Sequence, residues 1–161
     1  MIDPTPATDV VVRPMREADV ATVVAIETEA FSSPWQEDTF AGLLDRPGVE
    51  LLVMESPAAG VIGYAVLWCV LDQAELANVA ITSTWRGRGL GRRLIGTVIE
   101  TARERGIAKV FLEVRASNDR AANIYRGFGF TEVGLRRGYY SDPEEDARIM
   151  MATIPARTPA S

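Results

Sequence analysis

The chain has 161 residues, of which 47% are hydrophobic and 24% charged, with a net charge of −5; this supports one ordinary core and argues against general binding to nucleic acid or an anionic membrane, which rests on surplus positive charge. A single cysteine, Cys69, excludes an intrachain disulfide and a cysteine-built metal cage. The lack of histidine removes the commonest general base, the Ser–His and Cys–His schemes and His-ligated zinc, so acid–base work falls to Asp, Glu, Tyr or the one lysine, Lys109.

Residues 1–8 and 155–161 are polar and proline-bearing and read as flexible tails around one domain, 9–154. The first nine residues, MIDPTPATD, lack an apolar segment and are not expected to be a signal peptide. Val10–Met15 reads as a strand. Glu17–Ala30 carries Val20, Val23, Val24 and Ile26 at helical spacing. Ser32-Ser33-Pro34 reads as a helix start, and a second helix is expected through Trp35, Phe40, Leu43 and Leu44. Two β-like runs follow, Val49–Met54 and Val61–Leu71, with Cys69 read as core, and Ala77–Ile81 is a fourth. Gly89–Arg105 is an amphipathic helix with a Leu90, Leu94, Val98, Ala102 stripe, closed by Gly106. Val110–Val114 is a strand, Ser117 is the expected N-cap of a helix running to about Gly127, and Phe130–Tyr140 and Ala147–Ile154 are the last two strands. This order predicts a mixed α/β sandwich around one sheet with a late strand–helix–strand unit.

Arg86-Gly87-Arg88-Gly89-Leu90-Gly91-Arg92-Arg93 joins a strand to that amphipathic helix. Helix N-termini expose unpaired N–H groups and a partial positive charge, glycines admit close backbone approach, and four arginines add local charge, so the segment suits a pyrophosphate-sized anion. A glycine-rich turn with solvated arginines is the alternative. Arg92 interrupts the dinucleotide-binding G-x-G-x-x-G spacing, and the P-loop signature is missing.

Arg86-x-x-Gly89-x-Gly91 resembles the R/Q-x-x-G-x-G/A signature of the GNAT acetyltransferases, which implies a GNAT fold with about six or seven strands and helices on both faces of the sheet. Leu112-Glu113-Val114-Arg115-Ala116-Ser117-Asn118, Ile124-Tyr125, Gly127-Phe128-Gly129-Phe130, Arg136-Arg137-Gly138-Tyr139-Tyr140 and Phe31-x-x-Pro34-Trp35 are similar to the bacterial RimI branch, which acetylates the N-terminal α-amine of a small-subunit ribosomal protein. The resemblance implies acetyl-CoA as co-substrate and no metal. By it, the backbone of Val79, Ala80 and Ile81 lies along the pantetheine arm, while Gly87, Arg88, Gly89, Leu90, Gly91 and Arg92 cradle the phosphates and Asn118 hydrogen-bonds the pantetheine.

Acetyl transfer from a thioester to an amine needs a proton acceptor for the amine and a donor for the thiolate. Glu113 shares a strand face with Phe111 and Arg115. Among apolar neighbours its carboxylate would be desolvated toward the range of a general base; alternatively it pairs with Arg115 or with a cross-strand arginine. Tyr125 lies on a stripe with Ala121, Ile124 and Phe128, the pattern of core packing. The resemblance implies that Glu113 is the base and Tyr125 the acid, and that Pro34, Trp35, Arg137 and Tyr139 flank a peptide. Trp35 also fits a core anchor and Arg137 a solvated charge. A cytoplasmic monomer acting on a protein N-terminus is expected, without nucleic acid or membrane. An acetyltransferase for lysine or small amines, a non-catalytic acetyl-CoA-binding module and an arginine-dependent RNA binder are the alternatives.

Overall fold

The computed structural model describes residues 9–141 and 143–156; the N-terminal tail 1–8, and all but the first two residues of the C-terminal tail 155–161, lie outside them. The elements are β1 (Val11–Pro14), α1 (Val20–Ala30), α2 (Glu37–Leu43), β2 (Val49–Ser56), β3 (Gly60–Val70), β4 (Gln73–Ile81), α3 (Leu90–Glu104), β5 (Lys109–Arg115), α4 (Asp119–Arg126), β6 (Thr131–Tyr140) and β7 (Glu145–Thr153), with 3-10 turns at Glu17–Asp19 and Ser83–Trp85. The seven strands form one mixed sheet in the order β1-β2-β3-β4-β5-β7-β6. The sequence order of elements is therefore the predicted one.

The chain divides into two compact units, one of residues up to Leu67 with Asn78–Leu94, the other of Trp68–Ala77 with Ile95 onward. In the first, Ile62 to Leu67 are buried in succession, so this part of β3 is covered on both faces. Val20, Val23 and Ile26 of α1 and Phe40 and Leu43 of α2 are also buried there. Arg13 of β1 clamps Asp19 through two hydrogen bonds of 2.8 and 2.9 Å and reaches Glu55 at 2.8 Å. This holds the Asp19 carboxyl below its ordinary value, the Arg13 hydrogen bonds outweighing burial.

In the second unit β4 and β5 pair in parallel over Gln73–Leu76 and Lys109–Leu112 only, although each strand continues further. Strand β7 pairs antiparallel through Ala147–Thr153 with all of β5, and with β6 on its other side. Val110, Leu112 and Val114 are buried and alternate with the partly exposed Phe111, Glu113 and Arg115, as their period of two predicts. Helix α3 ends as expected at Gly106, with φ of +76° and Ile107 N–H returning to the Ala102 carbonyl.

Three local expectations are corrected. Helix α2 begins at Glu37 after Gln36, leaving Pro34 and Trp35 outside it; the Trp35 N–H is held by the Glu27 carboxylate at 2.9 Å. Asn118, not Ser117, caps α4, its Oδ1 accepting from Ala121 N–H at 3.1 Å, while the Glu145 carboxylate engages both the Ser117 N–H, at 2.6 Å, and its hydroxyl. Cys69 lies near the outer end of β3, between the exposed Trp68 and Val70, and is half-buried rather than core.

Candidate active site

The predicted anion-binding segment is built in the first unit. Strand β4 ends at Ile81, a 3-10 turn at Ser83–Trp85 redirects the chain, and Gly87 and Gly89 adopt φ of +81° and +77° before α3 starts at Leu90. Those dihedrals lie in the left-handed region that glycine enters without cost. A side-chain carbon added at either would meet nothing within 4 Å, so these backbones border open space.

The four arginines divide into two roles. Arg86 Nε donates to the Ile81 carbonyl at 2.9 Å and Arg93 Nη2 to the Val10 carbonyl at 2.8 Å, which anchors both ends of the loop. Arg88 lies over the Trp85 ring at 4.4 Å, and Arg88 and Arg92 are exposed. The chemistry fits a pyrophosphate: the first turn of a fifteen-residue helix, close glycine backbone and two cations beside it. Val79 and Ala80 are partly exposed and Ile81 is buried.

The predicted acid–base residues lie in the second unit. Glu113 sits opposite Ile149 of β7, which sits opposite Gly134 of β6; Arg115, Ala147 and Arg136 align in the same way. Glu113 and Arg136 therefore occupy one face two strands apart. Arg136 reaches across β7 to donate to Glu113 Oε1 at 2.8 Å. Of the two ion pairs weighed from sequence, the cross-strand one forms, while Arg115 pairs with Glu145 at 3.4 Å.

The apolar surroundings expected for Glu113 are replaced by a polar cluster. A hydrogen bond to Glu113 is the largest cause raising the Tyr139 phenol above its ordinary value. Desolvation, with the Glu113 charge second, raises the Glu75 carboxyl. The Arg136 guanidinium also lies 5.0 Å from the Tyr139 ring centroid.

Tyr140 packs edge-on to Tyr139, with centroids 5.0 Å apart, and lies under the Arg115 guanidinium at 4.3 Å. Burial, with the Glu113 charge next, pushes its phenol up to about 12. Tyr125 is also pushed up to about 12, by burial first and then by Tyr140. Its ring meets Phe130 at 5.7 Å, the core contact its helical stripe predicts. Glu113 thus acts on Tyr140, and Tyr140 in turn on Tyr125.

Of the peptide-side candidates, Tyr139 joins the Glu113 cluster and Arg137 is exposed; the neighbouring Arg136 makes the ion pair. Pro34 and Trp35 belong to the first unit, where the Trp35 ring packs on Phe40 with centroids 5.5 Å apart. Asn118 uses its side-chain oxygen as a helix cap. From sequence, Arg136 and Tyr140 enter only within the motif that carries the resemblance, without a role, and Glu75 does not enter at all. The signal for Arg136 was the pairing register, which one strand alone does not display.

Residues 20–130 match the acetyltransferase (GNAT) family. The chain belongs to the GNAT acetyltransferase family. Its nearer likenesses place it in the RimI branch. A Bacillus subtilis (strain 168) protein, named as a candidate ribosomal-protein-bS18-alanine N-acetyltransferase, is 40% identical over 148 residues, covering 91% of this chain and 97% of its own. The ribosomal-protein-bS18-alanine N-acetyltransferase of Escherichia coli (strain K12) is 37% identical over 143 residues, covering 87% and 95%. The crystal structure of the ribosomal-protein-S18-alanine N-acetyltransferase from Escherichia coli superposes with a TM-score of 0.84 at 33% identity, covering 92% of this chain and 96% of that one. This GNAT chain is thus an acetyl-CoA-dependent N-acetyltransferase of the predicted fold. Among the described residues no helix is long and apolar enough to cross a membrane.

Proposed function

We propose that this RimI-like enzyme transfers the acetyl group of acetyl-CoA to the N-terminal α-amine of a small-subunit ribosomal protein of the bS18 kind. The observation that carries the reading is the likeness over nearly the full chain to proteins named for that reaction. In this reading residues 9–154 act as one monomeric catalytic domain, working in the cytoplasm where ribosomal proteins are made.

The first turn of α3, with Gly87 to Arg92, holds the pyrophosphate, and the backbone of Val79 to Ile81 lies along the pantetheine with an N–H for the developing oxyanion. Asn118 contributes to the pantetheine through its side-chain amide. Pro34, Trp35, Arg137 and Tyr139 border the peptide.

Glu113 accepts a proton from the ammonium, the amine nitrogen bonds to the acetyl carbon, the carbon–sulfur bond breaks as Tyr125 gives its proton to the leaving thiolate, and the second proton shed by the nitrogen as the amide forms returns through solvent to the Tyr125 phenolate. One feature of the second unit supports the acid role. Tyr125, raised to about 12, stays protonated at every working pH. Selectivity for an α-amine follows from its value of about 7.7–8.0 against about 10.4 for lysine: near pH 7.4 roughly a quarter of α-amines are neutral but only about 0.1% of lysines.

The test is thiol release from acetyl-CoA with a bS18-type N-terminal peptide, the same peptide N-blocked, and lysine-bearing N-blocked controls. The reading expects turnover with the free α-amine alone. Equal turnover of the blocked, lysine-bearing peptides would assign the enzyme to side-chain acetylation instead.

A further inference from the structure

Helix α1 buries a carboxylate that the proposed chemistry does not use. Glu27 falls on the apolar stripe of Val20 and Val23 and is 1% exposed. Three donors from distant parts of the first unit converge on it. The Trp35 backbone N–H donates to Oε2 at 2.9 Å, the Asn78 side-chain amide to Oε1 at 2.7 Å, and the Tyr64 hydroxyl to Oε1 as well.

The placement of these donors matters. Trp35 lies in the irregular segment between α1 and α2, where regular hydrogen bonding does not hold the backbone. Asn78 immediately precedes Val79 in β4. Tyr64 is fully buried on β3, edge-on to Phe40 at 5.7 Å, and Phe40 in turn packs against Trp35 at 5.5 Å. One carboxylate therefore ties the segment ahead of α2 to the strand end expected to flank pantetheine. A buried group accepting three hydrogen bonds has no aliphatic substitute, because removing it leaves the three donors unpaired.

We propose that Glu27 is a positioning residue for the peptide acceptor: it sets the Pro34–Trp35 segment at a fixed place relative to Asn78 and β4. This rests on the reading that Pro34 and Trp35 border the peptide. Glu27 itself neither touches the reacting atoms nor transfers a proton.

The test compares the parent enzyme with Glu27→Asp and Glu27→Gln in thiol-release kinetics, varying the bS18-type peptide and acetyl-CoA separately, well below each variant's melting temperature. Aspartate keeps the charge but is one methylene short of spanning all three donors. Glutamine keeps the length: its oxygen can accept from Trp35 while its amide donates to Tyr64 and to a flipped Asn78. Glu27→Asp is expected to raise the peptide KM by about tenfold, as expected for losing a hydrogen bond to a charged group, with the acetyl-CoA KM and kcat within about twofold. Glu27→Gln is expected to recover most of the loss. Equal peptide KM values in parent and Glu27→Asp, with a change confined to kcat or to the melting temperature, would show a structural role only and overturn the proposal. If the parent acetylates no α-amine, the assignment of substrate fails instead, a result separable from the variants.

Discussion

Gly63 of β3 gives the sharpest physical test of how the strand beside it is held. A side-chain carbon added there would lie 2.6 Å from Ile81 Cδ1 and 3.0 Å from the Ala80 carbonyl oxygen. The Ile81 methyl can swing away at the expense of its buried packing. The carbonyl cannot, because the Thr82 N–H to Ile62 carbonyl bond of 2.8 Å fixes the adjacent backbone. Gly63→Ala must therefore displace β4 at Ala80 and Ile81, an overpacking cost of about 1–3 kcal/mol. At about 2–4 °C per kcal/mol for a domain of this size, the melting temperature should fall by about 2–12 °C. Because the displaced residues are those assigned to the pantetheine, the acetyl-CoA KM should rise while the peptide KM stays near the parent value. Gly42→Ala is the control: Gly42 lies within α2, is exposed and has no atom within 4 Å of an added carbon. It should gain about 0.5–1 kcal/mol from helix propensity. Calorimetric melting and steady-state kinetics on both variants decide the matter. A Gly63→Ala protein as stable as the parent, with an unchanged acetyl-CoA KM, would refute the argument.

Glu113→Gln should lower kcat/KM for peptide by about 10²–10⁴-fold at neutral pH, measured by thiol release, without reducing acetyl-CoA affinity by calorimetry. Tyr125→Phe should slow turnover by about 10²–10⁴-fold with cofactor affinity kept; with the parent phenol at about 12, no loss of rate assignable to its ionisation should appear below about pH 11. Arg92→Ala should weaken acetyl-CoA binding by about 5–30-fold, the range of a charge-assisted phosphate contact, and weaken dephosphorylated pantetheine analogues far less. Asp19 is held below its ordinary 3.8 by Arg13, so its contribution is present above about pH 4 and lost as pH falls through the depressed value. Arg13→Met should therefore destabilise by about 1–3 kcal/mol near neutrality and converge on the parent at low pH in thermal melts across pH 2–7.

The order of elements was readable because most strands and helices carry their own period. β5 alternates buried and open residues, α3 presents a continuous apolar stripe, and Gly106 marks its end. The turn of the glycine–arginine loop was readable as well, since the positive φ of Gly87 and Gly89 is a matter of local backbone. What escaped depends on partners far away in sequence. Ser117 and Asn118 are both good caps, and the choice falls to Asn118 where Glu145, 28 residues on, claims the Ser117 hydroxyl along with its N–H. Pro34 resembles a helix start until the Glu27 carboxylate holds the Trp35 N–H outside the helix. Glu27 follows Val23 by four residues but was not singled out, because its three donors lie far away in sequence. Arg136 became the counterion of Glu113 only through the register of three strands.

The division of labour among the loop arginines bears on how quickly an anion can settle there. With Arg86 and Arg93 acting as struts to backbone carbonyls, the curve of Gly87 to Gly91 is braced before any guest arrives. Little ordering entropy remains to be lost on docking. Capture should then be governed by diffusion and by the exposed Arg88 and Arg92, with no slow rearrangement gating entry.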